Sequence, residues 1–331
     1  MNAKVIIYSY ICGMSDTKTD CYFIVNPRAG SGKTMCEWLP AERKLERMGV
    51  PFVTALTDYK RHATSLAAEA AANGYRRIFA VGGDGSLHEV FNGICEWCEA
   101  NSVPTEKFYL GVVPIGSGND WIKSFGVPND VADVVELIDK GSYTKMDVMS
   151  VRSAGDKLCY MANIGGTGID SHVCQIVNSQ KESGKRGNLI YLNALKTILL
   201  NLKAIDVCIV ADGTVVFSGP CYSIALGNGK YSGSGMRQVP LAVPDDGFLD
   251  YTIIPKLGLS RILREVPRLY KGDLSECKYI LGGKCRSLQI MPMNEDSADV
   301  IELDGEIEGC LPATIEVSGR SINVLTGLSA D

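Results

Sequence analysis

The chain has 331 residues, of which 46% are hydrophobic and 21% are charged, and 33 basic against 38 acidic residues leave a formal net charge of −5. The length predicts two domains, and the apolar content excludes an intrinsically disordered chain. The acidic balance excludes a general nucleic-acid-binding surface, because no overall positive field is present.

The twelve cysteines are predicted to be reduced, as in a cytosol, because residues 1–20 carry no signal-peptide cleavage site and read as an N-terminal extension. Cys95 and Cys98 form the only CxxC pair, and no histidine is suitably spaced to complete a zinc site. We therefore expect this pair to lie on a helix. The apolar stretch 189–210 contains too many polar residues to form a transmembrane segment.

Residues 22–145 repeat one pattern, in which an apolar strand leads into a loop and then a helix. The pattern predicts an N-terminal three-layer α/β nucleotide-binding domain with parallel strands. Its glycine-rich loops should meet at one sheet edge, where the ligands of such sheets bind. The predicted strands are 22–25, 77–81 and 109–113, the predicted helices include 33–48 and 62–72, and the loops are NPRAGSG, GGDGS and PIGSGND.

After Asp147 the pattern changes to short alternating strands, which predict a C-terminal antiparallel β-sandwich domain. Asp212-Gly213 is typical of a tight hairpin turn. One helix is expected over 189–202, where the apolar residues follow a helical period. The predicted strands are 148–152, 158–163, 207–210, 215–218, 222–226 and 248–254.

The GKT sequence at 32–34 resembles the end of a Walker A motif, but the required first glycine is replaced by Pro27. What remains is a loop in which Gly30 and Gly32 let backbone N–H groups approach an anion at a helix start.

The GGDGS loop, residues 82–86, is a stronger candidate for phosphate binding because it joins a predicted strand to a predicted helix. Ser86 can cap the helix, and Asp84 can face polyphosphate or magnesium. A purely structural turn is the alternative. PIGSGND, residues 114–120, offers a second such loop, with Asp120 near the next helix start.

The LDGE sequence at 303–306 places two carboxylates two residues apart. In a strand, Asp304 and Glu306 would project from one face and could accept a proton or hold a metal. The alternative is a solvated hairpin turn at Asp304-Gly305, which the spacing alone favours.

Together, NPRAG, GGDGSLHEV, PIGSGND, GTGID (166–170), PDDGFLD (244–250) and LDGE resemble the diacylglycerol kinase catalytic domain family in their order and spacing. The sequence is similar to the bacterial soluble lipid kinases of this family, which are related to sphingosine and ceramide kinases. The resemblance implies an ATP-binding domain at 21–146, to which 318–331 returns, and a β-sandwich acceptor domain at 147–317. It also implies a cleft in which a lipid hydroxyl receives the γ-phosphoryl group of ATP.

The resemblance also implies the roles of individual residues. Asp304 matches the general base and Glu306 its partner, although related sphingosine kinases place the base where Asp84 stands. Asp246, with the carbonyls of Val243 and Phe248, matches a magnesium site, and Asp120 and Asp147 match a polar network. Ser86 and Ser117 stand where family members usually carry threonine in the nucleotide-binding loops. The basic residue that the family carries after the first loop is matched by Lys33 only if the extra residues Ser31 and Gly32 displace it. The implied nucleotide-binding residues are Asn26, Pro27, Gly30, Ser31, Lys33, Gly82, Gly83, Asp84, Gly85, Ser86, Glu89, Gly116 and Ser117.

The expected cofactors are ATP and Mg²⁺, and the expected partner is a membrane lipid, met by peripheral contact at the inner membrane face. A stripe of basic residues between Arg261 and Lys271 supports this contact if that segment is helical, although Pro267 should bend the helix. The question of a homodimer stays open. A kinase of soluble metabolites, of the NAD kinase or phosphofructokinase type, and a non-catalytic nucleotide or lipid sensor are the alternatives. The stripe comprises Arg261, Arg264, Arg268 and Lys271.

Overall fold

The computed structural model describes residues 18–116, 118–182, 194, 197, 202–272, 277, 279–294 and 299–328. Residues 1–17 of the predicted extension, most of the predicted helix 189–202 and Ser117 lie outside the described residues.

The described helices and strands follow the predicted order of an α/β half and a β-rich half. The helices are α1 (Thr34–Met48), α2 (His62–Ala72), α3 (Asp84–Asn101), α4 (Trp121–Ser124), α5 (Val131–Lys140), α6 (Ile169–Glu182) and α7 (Leu259–Lys271). The strands are β1 (Lys18–Val25), β2 (Phe52–Leu56), β3 (Tyr75–Gly82), β4 (Tyr109–Pro114), β5 (Tyr143–Ser153), β6 (Lys157–Met161), β7 (Ile164–Gly168), β8 (Ile205–Ala211), β9 (Thr214–Gly227), β10 (Tyr231–Ser232), β11 (Met236–Arg237), β12 (Leu249–Pro255), β13 (Leu281–Cys285), β14 (Ser287–Pro292), β15 (Val300–Leu303), β16 (Glu306–Cys310) and β17 (Ala313–Leu325).

The chain forms two compact units, here called the first and second units. The first unit ends at Met146 and also includes the chain from Arg320 onward, while the second comprises Asp147–Gly319. Strands β5 and β17 therefore belong partly to each unit.

The first unit is built on a parallel sheet with the strand order β2-β1-β3-β4, followed by the end of β17. Its strands are continuously apolar because helices cover the sheet, as in β3, which is buried from Ile78 to Gly82. Helix α2 has the predicted bounds, and α1 ends at Gly49, whose φ of 73° is the left-handed conformation of a helix C-cap. Cys95 and Cys98 are buried on α3, as predicted.

The second unit is an antiparallel β-sandwich around one apolar core. The alternating burial of strand β8 illustrates how the sequence forms this sandwich. Every second side chain faces the core and the residues between are half-exposed, the inward-facing residues being Ile205, Val207, Ile209 and Ala211. The predicted hairpin joins β8 to β9, with Asp212 at φ 47° and Gly213 at φ 79°.

The sequence predicted only part of the strands: one prediction for the second unit divides a single strand in two, and strands of that unit such as β7, β13 and β14 were not predicted. The segments 215–218 and 222–226 are one strand, β9, because Gly219 and Pro220 continue its ladder opposite Val207 and Asp206 of β8. The short strand β2 in the first unit was not predicted. Among the described residues, no helix has the length and apolarity needed to cross a membrane.

Candidate active site

Three glycine-rich loops of the first unit meet at the carboxyl ends of its strands. The Asn26 N–H donates to the Val81 carbonyl at 3.0 Å, and the Ile115 N–H donates to the Gly82 carbonyl at 2.9 Å. The Asn26 side-chain amide also donates to the Ser86 hydroxyl at 3.3 Å. The loops after β1, β3 and β4 therefore form one cluster, as the parallel topology predicts.

Two of these loops approach so closely that side chains cannot fit between them. A Cβ atom on Gly116 would lie 2.5 Å from the Gly83 Cα, and a Cβ on Gly83 would lie 3.2 Å from the Gly116 Cα. The glycines at these positions are thus required by packing. Glycine-rich loops of this kind, at the carboxyl ends of parallel strands, suit an anion such as a phosphate.

Asp84 positions the loop 114–120. It is the first residue of α3, and its carboxylate accepts the Asp120 N–H at 3.0 Å and the Trp121 N–H at 3.2 Å. Asp120 is buried, and its own carboxylate forms an ion pair with Lys123 at 2.5 Å. A Cβ on Gly118 would lie 3.1 Å from Asp84 Oδ2 and 3.4 Å from Asp120 Oδ2, so both carboxylates approach this glycine.

Glu89 connects α3 to α2. Its two oxygen atoms accept the N–H groups of Arg61 at 2.9 Å and Ala63 at 3.1 Å. Arg61 precedes α2 with φ 66° and makes no side-chain cap of its own, so Glu89 satisfies the first N–H groups of that helix. Sequence reasoning placed Glu89 among the nucleotide-binding residues and did not foresee this capping role.

The loop after β1 is held in a compact turn. The Asn26 side-chain oxygen accepts the Arg28 N–H at 3.0 Å across Pro27, and the Thr34 hydroxyl donates to the Ala29 carbonyl at 2.9 Å. Gly30 and Ser31 have φ values of 53° and 60°, the left-handed region that glycine accommodates best. The exposed Lys33 lies directly before α1.

In the second unit, Asp304 lies in a hairpin turn between β15 and β16. Asp304 and Gly305 have φ values of 54° and 87°, which identify the turn conformation. The interpretation of Asp304-Gly305-Glu306 as consecutive strand positions is wrong, because β15 ends at Leu303, and the hairpin alternative is confirmed. The turn differs from the solvated hairpin turn that was expected, because the Asp304 side chain is buried.

Backbone amides fix the Asp304 carboxylate. Its oxygens accept the Ala162 N–H at 3.0 Å and the Asn163 N–H at 2.7 Å, and its own N–H donates to the Ile164 carbonyl at 2.8 Å. The carboxylate of Glu302 accepts the Gly305 N–H at 2.9 Å. The side chain at 304 is therefore held in one orientation by the segment between β6 and β7.

Helix α6 supports the same turn. The Cys174 thiol lies 2.9 Å from the Gly305 carbonyl, and the Asn178 amide donates to that carbonyl at 3.1 Å. Sequence reasoning did not find these residues, because no motif marks a helix that supports a turn more than a hundred positions away. The helical spacing of Cys174 and Asn178 is the only signal that the sequence carries.

Asp170, the last residue of GTGID, is held at the start of α6 by two polar side chains. Its carboxylate accepts a hydrogen bond from Gln238 at 2.5 Å and another from Ser223. Desolvation raises the pKa of Asp170, while these two hydrogen bonds oppose the rise. Asp170 therefore ties α6 to β9 and to the segment that follows β11.

The residues proposed for a magnesium site are already engaged. Asp246 accepts the Phe248 N–H at 3.1 Å through one oxygen and the Lys284 ammonium at 2.5 Å through the other. Asp147, which the resemblance places in a polar network and not in the magnesium site, accepts the Gly247 N–H at 2.7 Å, and desolvation raises its pKa. A lysine ammonium repels a divalent cation, so the residues present around Asp246 do not fit a bound metal ion.

Comparison with known proteins agrees with both units. The family profile described as "Diacylglycerol kinase catalytic domain" matches residues 20–151, and the profile described as "YegS C-terminal NAD kinase beta sandwich-like domain" matches residues 163–326. The α/β half of the chain therefore matches the diacylglycerol kinase catalytic domain family. The two matches lie in the α/β half and the β-sandwich half, and they cover most of the sequence.

Individual members of the diacylglycerol kinase family match along nearly the whole chain. The proteins named diacylglycerol kinase from Staphylococcus aureus strains MRSA252 and Newman are each 28% identical over 301 residues, which is 91% of this chain and 90% of theirs. A diacylglycerol kinase structure from Bacillus anthracis str. Sterne has a TM-score of 0.71 at 23% identity, covering 93% of this chain and 97% of that one. The structural match supports the fold of the family.

Proposed function

We propose that this chain is an ATP-dependent lipid kinase that transfers the γ-phosphoryl group to a hydroxyl of diacylglycerol or a related lipid. The observation that carries the proposal is the cluster of three glycine-rich loops in the half of the chain that matches the diacylglycerol kinase catalytic domain. The family match supports the reaction class, and the loop cluster supplies a site of suitable chemistry.

The first unit would bind the nucleotide at its loop cluster. The backbone N–H groups near Gly30, Gly83 and Gly116 would face the phosphates, because glycine-rich loops at a helix start present such groups to an anion. The Ser86 hydroxyl, held by Asn26 at 3.3 Å, is a further donor. Phosphoryl transfer has a loose transition state, so positioning and charge neutralisation by such groups account for most of the catalysis.

Asp84 would hold a divalent cation, Mg²⁺ in the simplest case, that binds together with ATP. Carboxylate oxygens are preferred ligands of such cations, and Asp84 lies beside the loop cluster, where Asp120 adds a second carboxylate. When bound, the cation would neutralise charge on the phosphates. Lys123 offsets the charge of Asp120, which leaves Asp84 as the principal ligand that we propose.

Asp304 would accept the proton of the lipid hydroxyl as the new P–O bond forms. Its carboxylate is held by two backbone N–H groups, which fix its orientation. General bases of this kind contribute about 10² to 10⁴ in rate. Asp84 remains the competing candidate for the base, and Glu306 the proposed partner of Asp304.

A lipid acceptor requires contact with a membrane, and the basic stripe on α7 is the surface that we propose for it. Helix α7 continues through Pro267, with Arg261, Arg264 and Lys271 exposed. The Arg261 guanidinium stacks on the Tyr279 ring at 4.6 Å, which adds an exposed aromatic side chain to the surface. Arg268 is paired with Glu265 at 2.9 Å, so it contributes less charge than the pattern indicated.

The proposed function is tested by incubating the purified chain with γ-labelled ATP, Mg²⁺ and separate acceptor pools. The pools are diacylglycerol, phosphatidylglycerol, sphingoid bases, NAD and sugar phosphates. We expect label in diacylglycerol or another lipid pool, and loss of that label in the Asp84→Asn variant.

Two results would contradict the lipid kinase proposal. Label that enters only NAD or a sugar phosphate would identify the chain as a kinase of soluble metabolites. The description of the second family profile includes NAD kinase, so this alternative is tested directly. Saturable ATP binding with no label in any pool would assign a nucleotide sensor.

A further inference from the structure

The region around Asp246 contains several carboxylates and one prominent cation. Asp246 and Asp250 both contact Lys284, at 2.5 Å and 3.5 Å respectively. Asp250 is only 3% exposed, and desolvation raises its pKa. Asp147 adds further negative charge, because it interacts electrostatically with both Asp245 and Asp246. Asp250 is the buried carboxylate of this group, and a buried carboxylate requires a compensating cation.

Strand pairing determines that this cation is Lys284. Strands β12 and β13 pair antiparallel, with Asp250 directly opposite Lys284. Directly opposite residues project from the same face of the sheet, so the lysine is placed beside Asp250 by the backbone ladder.

The position of the ammonium leaves no suitable ligand set for a divalent cation. The ammonium contacts one carboxylate oxygen of Asp246 and one of Asp250, and it offers no lone pair to a metal. The second oxygen of Asp246 accepts the Phe248 N–H at 3.1 Å. A divalent ion would have to displace the lysine and then share the site with its positive charge.

We propose that Lys284 takes the place of the magnesium ion that the family resemblance implies at Asp246, so that the second unit is stabilised by a built-in cation and needs no divalent metal to fold. This inference concerns the stability of the β-sandwich and does not depend on the proposed kinase activity. It would hold equally for a protein that transferred no phosphate.

The experiment uses the full chain without nucleotide, so that a metal ion bound with ATP is not counted. The wild type is treated with EDTA and desalted, its Mg²⁺ and Ca²⁺ contents are measured by mass spectrometry, and its thermal unfolding is recorded with excess EDTA or excess Mg²⁺. Lys284→Met, Lys284→Arg and the control Lys256→Met, which changes an exposed lysine of the same unit, are unfolded under the same conditions.

We expect far less than one metal ion per wild-type chain and a Tm that differs by less than about 1 °C between EDTA and Mg²⁺, because an ion without a site adds no binding energy. Lys284→Met should lower the Tm by about 3 to 8 °C, since it leaves the Asp250 carboxylate buried without its cation. Lys284→Arg should retain most of the wild-type Tm, and Lys256→Met should leave it unchanged.

Three results would overturn the inference. The first is about one tightly held divalent ion per wild-type chain. The second is a wild-type Tm that falls by several degrees in EDTA, and the third is a Lys284→Met Tm equal to that of Lys256→Met. If Lys284→Met does not fold, the metal content and the EDTA response of the wild type decide the question by themselves.

Discussion

At the scale of single residues, the two candidate catalytic carboxylates are fixed in the same physical way. Asp84 accepts N–H groups of Asp120 and Trp121, and Asp304 accepts those of Ala162 and Asn163. Hydrogen bonds to a charged acceptor are stronger than neutral ones and orient it. Each aspartate therefore also stabilises a neighbouring segment, which any substitution experiment must separate from catalysis.

Replacing Asp304 by Asn should lower lipid phosphorylation by about 10² to 10⁴ while ATP affinity stays unchanged, because the proposed proton acceptor is lost and the loops of the first unit are not altered. Steady-state turnover, ATP binding and the Tm are measured together. Asp156→Asn, at an exposed turn of the same unit, is the control. Turnover equal to that of the control would rule out Asp304 as the base.

Replacing Gly116 by Ala should destabilise the first unit by about 1 to 3 kcal/mol, the usual cost of forcing an extra methyl group into a packed contact. The new Cβ would lie 2.5 Å from the Gly83 Cα, so the loops must separate, and ATP affinity should fall with stability. Thermal unfolding and ATP titration measure both effects. Gly258→Ala is the control, because a Cβ there meets no atom within 4 Å; equal behaviour of the two variants would contradict the prediction.

At the scale of elements, α6 connects the start of β15 to the turn that carries Asp304. His172 on α6 forms an ion pair with Asp299 at 2.9 Å, and Asp299 also accepts the Gly168 N–H at 3.1 Å. Cys174 and Asn178 contact the turn from the next part of the helix. Helix α6 therefore supports both ends of β15.

The His172–Asp299 pair should make the stability of the second unit depend on pH. The hydrogen bond to Asp299 raises the pKa of His172 above its ordinary value of 6.5. The folded state thus holds the proton more tightly than the unfolded state, and the pair stabilises fully below pH 6.5. This contribution, about 1 kcal/mol or less for a partly exposed pair, should disappear as the pH rises through the raised pKa.

The measurement is the Tm of the wild type and of His172→Gln from pH 6 to pH 9, a range set by the ordinary histidine pKa of about 6.5. The wild type should lose its advantage over the variant toward the upper end of that range. A constant difference in Tm across the range would show that the pair has no role in the pH response.

At the scale of the whole molecule, the chain returns to its first unit after completing the second. The end of β17 pairs in parallel with β4, with Asn323 opposite Tyr109, and the Thr105 hydroxyl donates to the Ser321 carbonyl at 2.7 Å. The sheet of the first unit is thus completed by residues more than two hundred positions away. Both units therefore depend on the integrity of the last strand.

Reversing the charge of Arg261 and Arg264 to Glu should weaken binding to anionic vesicles by about tenfold to a hundredfold, because each basic residue near an anionic surface contributes about 1 kcal/mol. Vesicle co-sedimentation measures the effect, and ATP affinity should stay unchanged. The matched control is Arg43→Glu with Arg47→Glu, two exposed arginines of α1 that give the same change in net charge. Equal binding by the two double variants would contradict the proposed membrane surface.

Much of the fold could be predicted because it is encoded over short distances. The bounds of α2 follow from its helical apolar pattern and the Asn73-Gly74 stop, and the β8–β9 hairpin follows from Asp212-Gly213. The loop cluster follows from strand order alone, since parallel strands place their carboxyl ends together. The single strand β9 was predicted as two strands, because residues such as Gly219 and Pro220 usually end a strand.

The sequence by itself determined the alternation of strands and helices, the glycine-rich loops and the family resemblance, because each depends on neighbouring residues or on a fixed spacing. Only the tertiary structure decided that Glu89 caps α2, that Asp304 occupies a buried turn and that Lys284 lies against Asp246 and Asp250. Those contacts join residues distant in the chain, and their partners are selected by packing and strand register, which a local pattern does not encode.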